Sequence, residues 1–543
     1  MSQRGTVRRA MRVSVMSGGD EMIDPEAMSS ISAVARSAAQ RAPDKICNRF
    51  EGRDTTFKDF DRHVDQVAHG LDAGDAKVVA YLGKNCDHVF EIFIGATRVG
   101  GMFAPLNWRL APAEIIEILR QYPPQMLFFG PEFSEAIKEI NAALPDIQIL
   151  AMEEGDGPWE TYEAWRDAQS SEPVVDRAST HDPAMALFTS GTTGVPKAVL
   201  LSHSNLLQPK LDSLAVKHIY DHWDDEDIGF VAMPLAHIGG IGFWTIAFVN
   251  CCTSVILREL DPVAALDAIH TERVSKLFVV PAALQIVIQH PEAKRVDFSC
   301  VKTVMYGAAP MPLPLLKEAI EVVGCQFIQC YGMTETTGTI AILAPEDHVP
   351  EGSERMRSAG RPAMGCEIAI FDPNGKPVKA GEIGEVAVRA PANMLGYWKN
   401  PEATTKTLRD DGWLLSGDAG YLDEDGYLFI HDRIKDMIIS GGENVYPAEV
   451  ESALYAHPSI SEAAVIGVPD PKWGEAVRAV VTLKPNATLD EKEVLAWMRG
   501  KLAAFKCPKA IDVIDVMPRN ASGKLLKRDL RAPYWEGRER QVN

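Results

Sequence analysis

Residues 184–203 read AMALFTSGTTGVPKAVLLSH. The stretch opens with an apolar run, Ala184 to Phe188, that has the texture of a buried strand. It then breaks into Thr189-Ser190-Gly191-Thr192-Thr193-Gly194, a string no core would select. Hydroxyls and glycines make a loop whose backbone amides can face an anion. Pro196 stiffens the exit, Lys197 adds a compact positive charge, and Ala198 to Leu201 resumes a strand. Two readings stand: a cradle for polyphosphate, or a solvated hairpin loop. The G-x-x-x-x-G-K-[ST] loop is absent, and that loop would feed a helix rather than return to a strand.

The chain has 543 residues, enough for two to four domains. Hydrophobic content of 46% and charged content of 24% are ordinary for a globular protein. The net charge of −20 argues against nucleic-acid partners and against anionic membrane. An anionic substrate therefore needs locally placed lysines and arginines. Nine scattered cysteines without a C-x-x-C pair read as reduced thiols in the cytoplasm. The first nineteen residues hold four arginines and no acid, faintly like a transit peptide. The plainer reading of residues 1–28 is a disordered leader, or an over-long start. Ile238 to Leu257 runs twenty residues without a charge, the length of a membrane span. Its glycines and Asn250 favour a buried helix, a turn and a buried strand instead, so no integral membrane segment is expected.

From Ser29 to Gly130 helices and short strands alternate, the pattern of a parallel sheet covered by helices. Thr56 caps a helix through Leu71. Lys77 to Leu82 and Met126 to Phe129 are strands, and Asp87 to Val99 is an amphipathic helix. Gly155 to Asp182 is an acidic, polar surface connection. Leu277 to Val280 and Thr303 to Tyr306 continue as strands, with a helix over Leu313 to Val323. From Ser358 turn signals and short strands suggest a β-rich subdomain. Beyond Asp432 comes a compact α+β unit, with helices at Ala448 to Tyr455 and Glu491 to Leu502. The expected fold is α/β: a large N-terminal domain of parallel-rich sheets layered with helices plus the β-rich subdomain (29–432), then a small mobile α+β domain (433–543).

Several turns carry candidate chemistry. Gly307-Ala308-Ala309 ends a strand and leaves room for a flat ring, or is merely tight. Tyr331-Gly332-Met333-Thr334-Glu335 closes another strand. Tyr331 can stack on a base, and Glu335 is a hard oxygen ligand suited to magnesium on a phosphate. Ligands favour the carboxyl ends of parallel strands. Asp418, in Ser416-Gly417-Asp418, can accept both hydroxyls of a ribose, or be an ordinary turn residue. Asp432-Arg433-Ile434-Lys435-Asp436 leads into Gly441-Gly442, and Lys524 sits on a glycine-flanked tip.

In order and spacing these motifs resemble the adenylate-forming (AMP-binding) superfamily, in its acyl-CoA synthetase or fatty-acid–CoA ligase branch. The resemblance covers roughly Ser29 to Arg531. It implies that Thr189 to Lys197, with Ser190, Gly191, Thr192, Thr193 and Gly194, cradles the β- and γ-phosphates of ATP. Gly307, Ala308, Ala309 and Tyr331 would hold adenine, Gly332 would belong to the same ATP site, and Thr334 and Glu335 would serve phosphate and Mg2+. Asp418 would bind ribose with help from Arg433. Lys435 would be the hinge of the C-terminal domain, Gly441 and Gly442 would line the tunnel for CoA, and Lys524 would bridge the acid and the α-phosphate. His237, followed by Ile238, matches the histidine that borders the carboxylate and thiol tunnel in the CoA ligases.

The implied reaction is ATP-dependent activation of a carboxylic acid to an acyl-adenylate, then transfer to CoA. The expected pocket wall runs through 237–243, Tyr306 to Ala308 and Thr336 to Ile342, and has no partner for a second charge. An apolar monocarboxylate follows. Gly239, Gly240, Gly242 and Ala236 argue for room and so for a medium- or long-chain fatty acid. A 4-coumarate- or benzoate-type aryl acid and a sterol side-chain acid remain alternatives, as does, from another class, a non-catalytic nucleotide sensor. No carrier domain follows Lys524, so free CoA is the expected acceptor, with Lys506 and Lys509 as candidates for its phosphates. A homodimer is left open.

Overall fold

The computed structural model describes residues 15–16, 22–23, 28–189, 196–216, 218, 220, 222–349, 351–441, 443–519 and 525–536, with backbone alone at 15–16, 22–23, 215 and 435. The chain forms two compact units, 1–229 with 242–256, and 230–241 with 257–543.

In the first unit five parallel strands lie in the order Pro183–Thr189, Met102–Leu106, Val78–Leu82, Met126–Phe129, Gln148–Ala151. Helices His88–Arg98 and Pro112–Gln121 make the crossovers. Lys197–Ser202 folds back antiparallel on Pro183–Thr189, with Lys197 opposite Thr189. The two apolar runs that flank residues 190–195 are therefore paired strands, as their composition predicts. Thr56 caps the helix Phe57–Ala73 by accepting the N–H of Asp59. A second sheet segment pairs Thr253–Ile256 in parallel with Ile46–Phe50, which turns into Arg53–Thr56.

Ile238–Val249 is a helix followed by a turn and the strand Thr253–Ile256. No described helix is long and apolar enough to cross a membrane. Trp244 stacks on Phe90 with ring centroids 4.1 Å apart and donates its indole N–H to Asn48 Oδ1 at 2.9 Å.

Two expectations need correction. His88–Arg98 is not amphipathic; every residue of it is buried. Its charged members are tolerated because they are paired. Arg98 reaches Asp61 and Asp65 at 2.6 and 2.7 Å, and Glu91 meets His63, His88, Tyr162 and Arg166. Nor is 155–182 wholly a surface connection. It contains the helix Tyr162–Asp167, whose Tyr162, Trp165 and Arg166 are buried, because Tyr162 and Arg166 complete the bonds of Glu91.

In the second unit Lys276–Val279, Thr303–Gly307 and Gln326–Met333 run parallel, and Gly338–Leu343 returns antiparallel. A four-stranded antiparallel sheet follows: Glu367–Phe371, Gly384–Arg389, Leu414–Leu422, Leu428–Arg433. The C-terminal part is built on the long hairpin Ile460–Asp470/Gly474–Leu483, with Ala510–Val513 added in parallel. Helices Pro447–Tyr455 and Glu491–Arg499 bury Val450, Leu454, Val494 and Met498 against it.

Candidate active site

In the second unit the candidate residues Gly307 to Ala309 and Tyr331 to Glu335 fall at the carboxyl ends of parallel strands. Gly307 ends its strand opposite Cys330, and a Cβ there would lie 2.2 Å from the Cys330 carbonyl oxygen. The missing side chain thus serves close strand packing before it serves a ligand. Ala308, exposed, takes φ +63°, a left-handed conformation that costs a non-glycine residue roughly 1 kcal/mol. Ala309 is half-buried beside it. On the next strand a bulge separates Tyr331 from Gly332, and the chain then tightens into a turn over Thr334–Thr336. Thr334 is half-buried there and Glu335 is buried.

Three groups converge on Asp418. Tyr331 donates its O–H to Oδ2 at 2.5 Å, Arg433 Nε lies 2.7 Å from Oδ1, and the Asp418 N–H donates to Ser416 Oγ at 3.0 Å. Strand pairing sets this up, because Asp418 and Arg433 are direct partners across two antiparallel strands. Burial opposes the charge of Arg433, but Asp418 outweighs it and holds the guanidinium protonated. Burial and the Asp418 carboxylate push the Tyr331 phenol well up, so it remains a donor.

Glu335 Oε1 accepts the O–H of Tyr397 at 2.9 Å, and Oε2 has no hydrogen bond or ion pair among the described residues. The turn around it is pinned by Met394 N–H donating to the Glu335 carbonyl at 2.8 Å, and by Thr337 Oγ1 donating to the Ala392 carbonyl at 2.6 Å. No cluster of three metal-ligating side chains occurs among the described residues. One open hard oxygen without a protein cage fits Mg2+, which keeps waters and binds chiefly through substrate phosphates. Glu335 would hold that ion, which when bound neutralises phosphate charge.

His237 and Ile238 lie at the start of the helix Ile238–Val249, both half-buried. Ile238 Cγ1 would be 3.7 Å from a Cβ on Gly338, so two segments of the expected acid wall meet. The expected room does not. A Cβ on Gly239 would lie 2.8 Å from the Phe278 ring, and one on Gly240 would lie 2.5 Å from the Met233 carbonyl oxygen. Both glycines are filled positions, not empty space. Tyr306 is fully buried and its hydroxyl is 3.2 Å from Gln329 Oε1 and 3.0 Å from His348 Nε2. It is core, not pocket wall.

In the first unit Thr189 and Lys197 stand as strand partners, and Thr189 Oγ1 donates to the Lys197 carbonyl at 3.4 Å. Ser190 to Gly194, Gly442 and Lys524 lie outside the described residues. Lys435 is within the turn Ile434–Asp436. Gly441 takes φ +66° and donates its N–H to the Trp473 carbonyl at 2.8 Å. Lys506 is held by Glu449 at 2.7 Å, which argues against its selection as a phosphate ligand, and Lys509 is exposed. Tyr397 and Phe278 escape sequence reading, since neither lies in a motif with a chemical signal.

The AMP-binding enzyme family matches residues 35–398, and the AMP-binding enzyme C-terminal domain matches 449–524. A fatty acid–[acyl-carrier-protein] ligase of Streptomyces coeruleorubidus is 38% identical over 93% of this chain and 96% of its own. A feruloyl-CoA synthase of an Amycolatopsis species is 37% identical over 91% and 97%. The solved o-succinylbenzoate CoA synthetase of Bacillus subtilis, in complex with an acyl-adenylate intermediate, superposes with a TM-score of 0.81 at 30% identity, covering 92% and 97%. The chain belongs to the AMP-binding enzyme family. Within it, the chain is an AMP-forming acid–thiol ligase that uses ATP.

Proposed function

We propose that the protein is an acyl-CoA synthetase for an apolar monocarboxylic acid. The observation that carries this is the Asp418 node, with Tyr331 and Arg433 on one carboxylate and the open Glu335 oxygen at the same strand end. That arrangement suits a nucleotide whose ribose meets Asp418 and whose phosphates reach Glu335. In the first half-reaction a carboxylate oxygen bonds to the α-phosphorus and the bond to pyrophosphate breaks. By the motif resemblance, Lys524 is the group whose charge favours two anions meeting. In the second, the CoA sulfur attacks the acyl carbon and AMP leaves, while 433–543 turns about Lys435 to exclude water and admit the thiol.

The acid's body would rest against Ile238 and Gly338, with the Phe278 ring that fills the space beside Gly239 bounding this apolar corner. A fatty acid remains the leading candidate by likeness to the Streptomyces ligase. An aryl acid is favoured as the second reading by the Phe278 ring packed on Gly239, which narrows the corner, and by the feruloyl-CoA synthase. The acceptor is CoA; the Streptomyces ligase makes a carrier-protein thiol the competitor to test. Cysteines joined by no disulfide support a cytoplasmic setting.

The deciding experiment measures ATP-dependent pyrophosphate release with acetate, butyrate, octanoate, palmitate, benzoate, cinnamates and amino acids. CoA and an acyl-carrier protein are then compared as acceptors. Release with apolar monocarboxylates and thioester formation on CoA are expected. Preference for an amino acid or for acetate would overturn the reading.

A further inference from the structure

The strand Leu428–Arg433 ends in two acidic and basic neighbours that face opposite ways, as successive strand residues do. Arg433 turns to Asp418. Asp432 turns to the C-terminal part of the chain. Its Oδ2 accepts the Ala448 N–H at 3.0 Å and lies 3.2 Å from Lys527 Nζ, while Oδ1 accepts the Arg433 N–H at 2.7 Å. Lys527 Nζ also lies 2.9 Å from Glu451 Oε1, an oxygen that accepts the Val465 N–H at 2.7 Å. The three side chains are all largely buried. Burial opposes the charge on Lys527, but Glu451 and Asp432 outweigh it and keep the ammonium protonated.

Lys527 opens the helix Lys527–Trp535. The chain entering that helix is pinned as well: Leu525 bridges Arg519, and the Leu526 N–H donates to the Pro518 carbonyl at 2.9 Å. Farther along the helix Arg531 reaches Asp436 at 3.4 Å. The same helix is therefore tied twice to residues on either side of Lys435. Lys524 precedes Lys527 by three positions in sequence.

We propose that Lys527 is a positioning residue for the adenylation half-reaction: bound to Asp432 and Glu451, it fixes the C-terminal helix, and the chain that enters it, to the strand end that carries Arg433. The Asp418–Arg433 pair and Lys527, which follows Lys524 by three positions in sequence, are then tied to the same strand end. Asp432 belongs to the nucleotide-bearing strand and Lys527 to the C-terminal part, so the ion pair is a contact that rotation about Lys435 must exchange. It matters for the step that needs both parts in register and not for the step that follows rotation. This rests on the acyl-CoA synthetase reading above.

Removing the cation alone would leave two carboxylates facing each other, so the test uses the double variant Lys527→Met/Glu451→Gln. Asp432 then keeps its two backbone N–H donors. Adenylation is followed by ATP–pyrophosphate exchange, and thioester formation by conversion of supplied acyl-adenylate with CoA. Misplacement by about 1 Å should lower kcat for adenylation about tenfold to a hundredfold, with KM for ATP and the thioester rate little changed. Lys527→Arg should restore most of the exchange rate. If the double variant does not fold, Asp432→Asn, which keeps an acceptor but loses the charge, must give the same selective loss. Equal loss in both half-reactions, or no loss, overturns the positioning role while the synthetase reading stands. Absence of acyl-adenylate formation by the unaltered enzyme with every acid of the panel would instead sink that reading and this inference with it.

Discussion

Tyr331 donates its phenolic hydrogen to Asp418 Oδ2 at 2.5 Å, across 87 residues of chain. The tyrosine ring is thereby held edge-fixed beside the carboxylate, with Arg433 on the carboxylate's other oxygen. Oδ2 is already engaged by a neutral donor, so if Asp418 binds ribose a hydroxyl meets an oxygen that already accepts a hydrogen bond. A ribose O–H can replace or share that bond at little net cost, because one hydrogen bond is exchanged for another.

Variants at these two residues should therefore differ sharply. Tyr331→Phe keeps the ring and frees Oδ2, so KM for ATP should change by no more than about threefold. Asp418→Ala removes the acceptor and leaves Arg433 without its carboxylate, and KM for ATP should rise about 10- to 100-fold. Steady-state kinetics at saturating acid measure both. An equal rise in the two variants would make the hydroxyl, not the carboxylate, the nucleotide's ligand.

Glu335 and Tyr397 make a second pair. Glu335→Gln keeps the acceptor for Tyr397 but loses the charge that suits Mg2+. The Mg2+ concentration for half-maximal rate should rise, and kcat should fall on the order of a hundredfold. Tyr397→Phe should cost far less, about fivefold at most, because the carboxylate itself remains. A magnesium titration that Glu335→Gln leaves unchanged would remove Glu335 from the metal site.

The helix Leu313–Val323 and the strand Met126–Phe129 are legible to the residue. The helix carries its own stop in Gly324, which takes the left-handed φ of +68°. The helix His88–Arg98 is misread for the opposite reason. Its His88, Glu91 and Arg98 look like a wet face, and what neutralises them lies up to 75 residues away. The candidate nucleotide motifs stand out in sequence because phosphate, ribose and metal each demand particular residue types. Gly239 and Gly240 are not, because a glycine left empty for a ligand and one crowded by a ring or a carbonyl are the same letter.

That buried network makes stability depend on pH in a defined direction. His88 lies between Glu91 and Glu163, with Asp87 nearby and His63, Arg166 and Tyr162 on the far side of Glu91. Burial works against its charge, but Glu91 and Glu163 prevail and push the imidazole up to about 9. An unfolded histidine titrates near 6.5. The folded value is the higher one, so the stabilisation is complete below pH 6.5 and is lost as pH rises through about 9. Urea midpoints should fall from pH 6.5 to 9.5, by on the order of 3 kcal/mol of unfolding free energy. His88→Gln should flatten that limb. A slope the same in both proteins would assign the pH dependence to other groups.

Lys435 lies in a one-turn segment between the strand Leu428–Arg433 and the strand Ile438–Ser440. Lys435→Pro fixes φ near −65° and removes a backbone donor. If the domain turns there, thioester formation from supplied acyl-adenylate should slow at least tenfold more than pyrophosphate exchange does. Rates that keep their original ratio would place the hinge elsewhere.

The last prediction concerns the acid. Phe278, half-buried on the strand Lys276–Val279, occupies the space beside Gly239, and Ile238 sits against Gly338. If the acid's body packs in this corner, kcat/KM should rise with each added methylene by about fourfold, the equivalent of roughly 0.8 kcal/mol, until the corner is full. Phe278→Ala enlarges the corner and should move that limit to bulkier acids, with KM for ATP unchanged. Gly239→Ala drives a Cβ toward the same ring and should move the limit the other way. The two shifts must be opposite in sign to implicate the corner, because a general loosening of the fold would lower every acid alike. A substrate profile that neither change alters would put the acid's body against another wall.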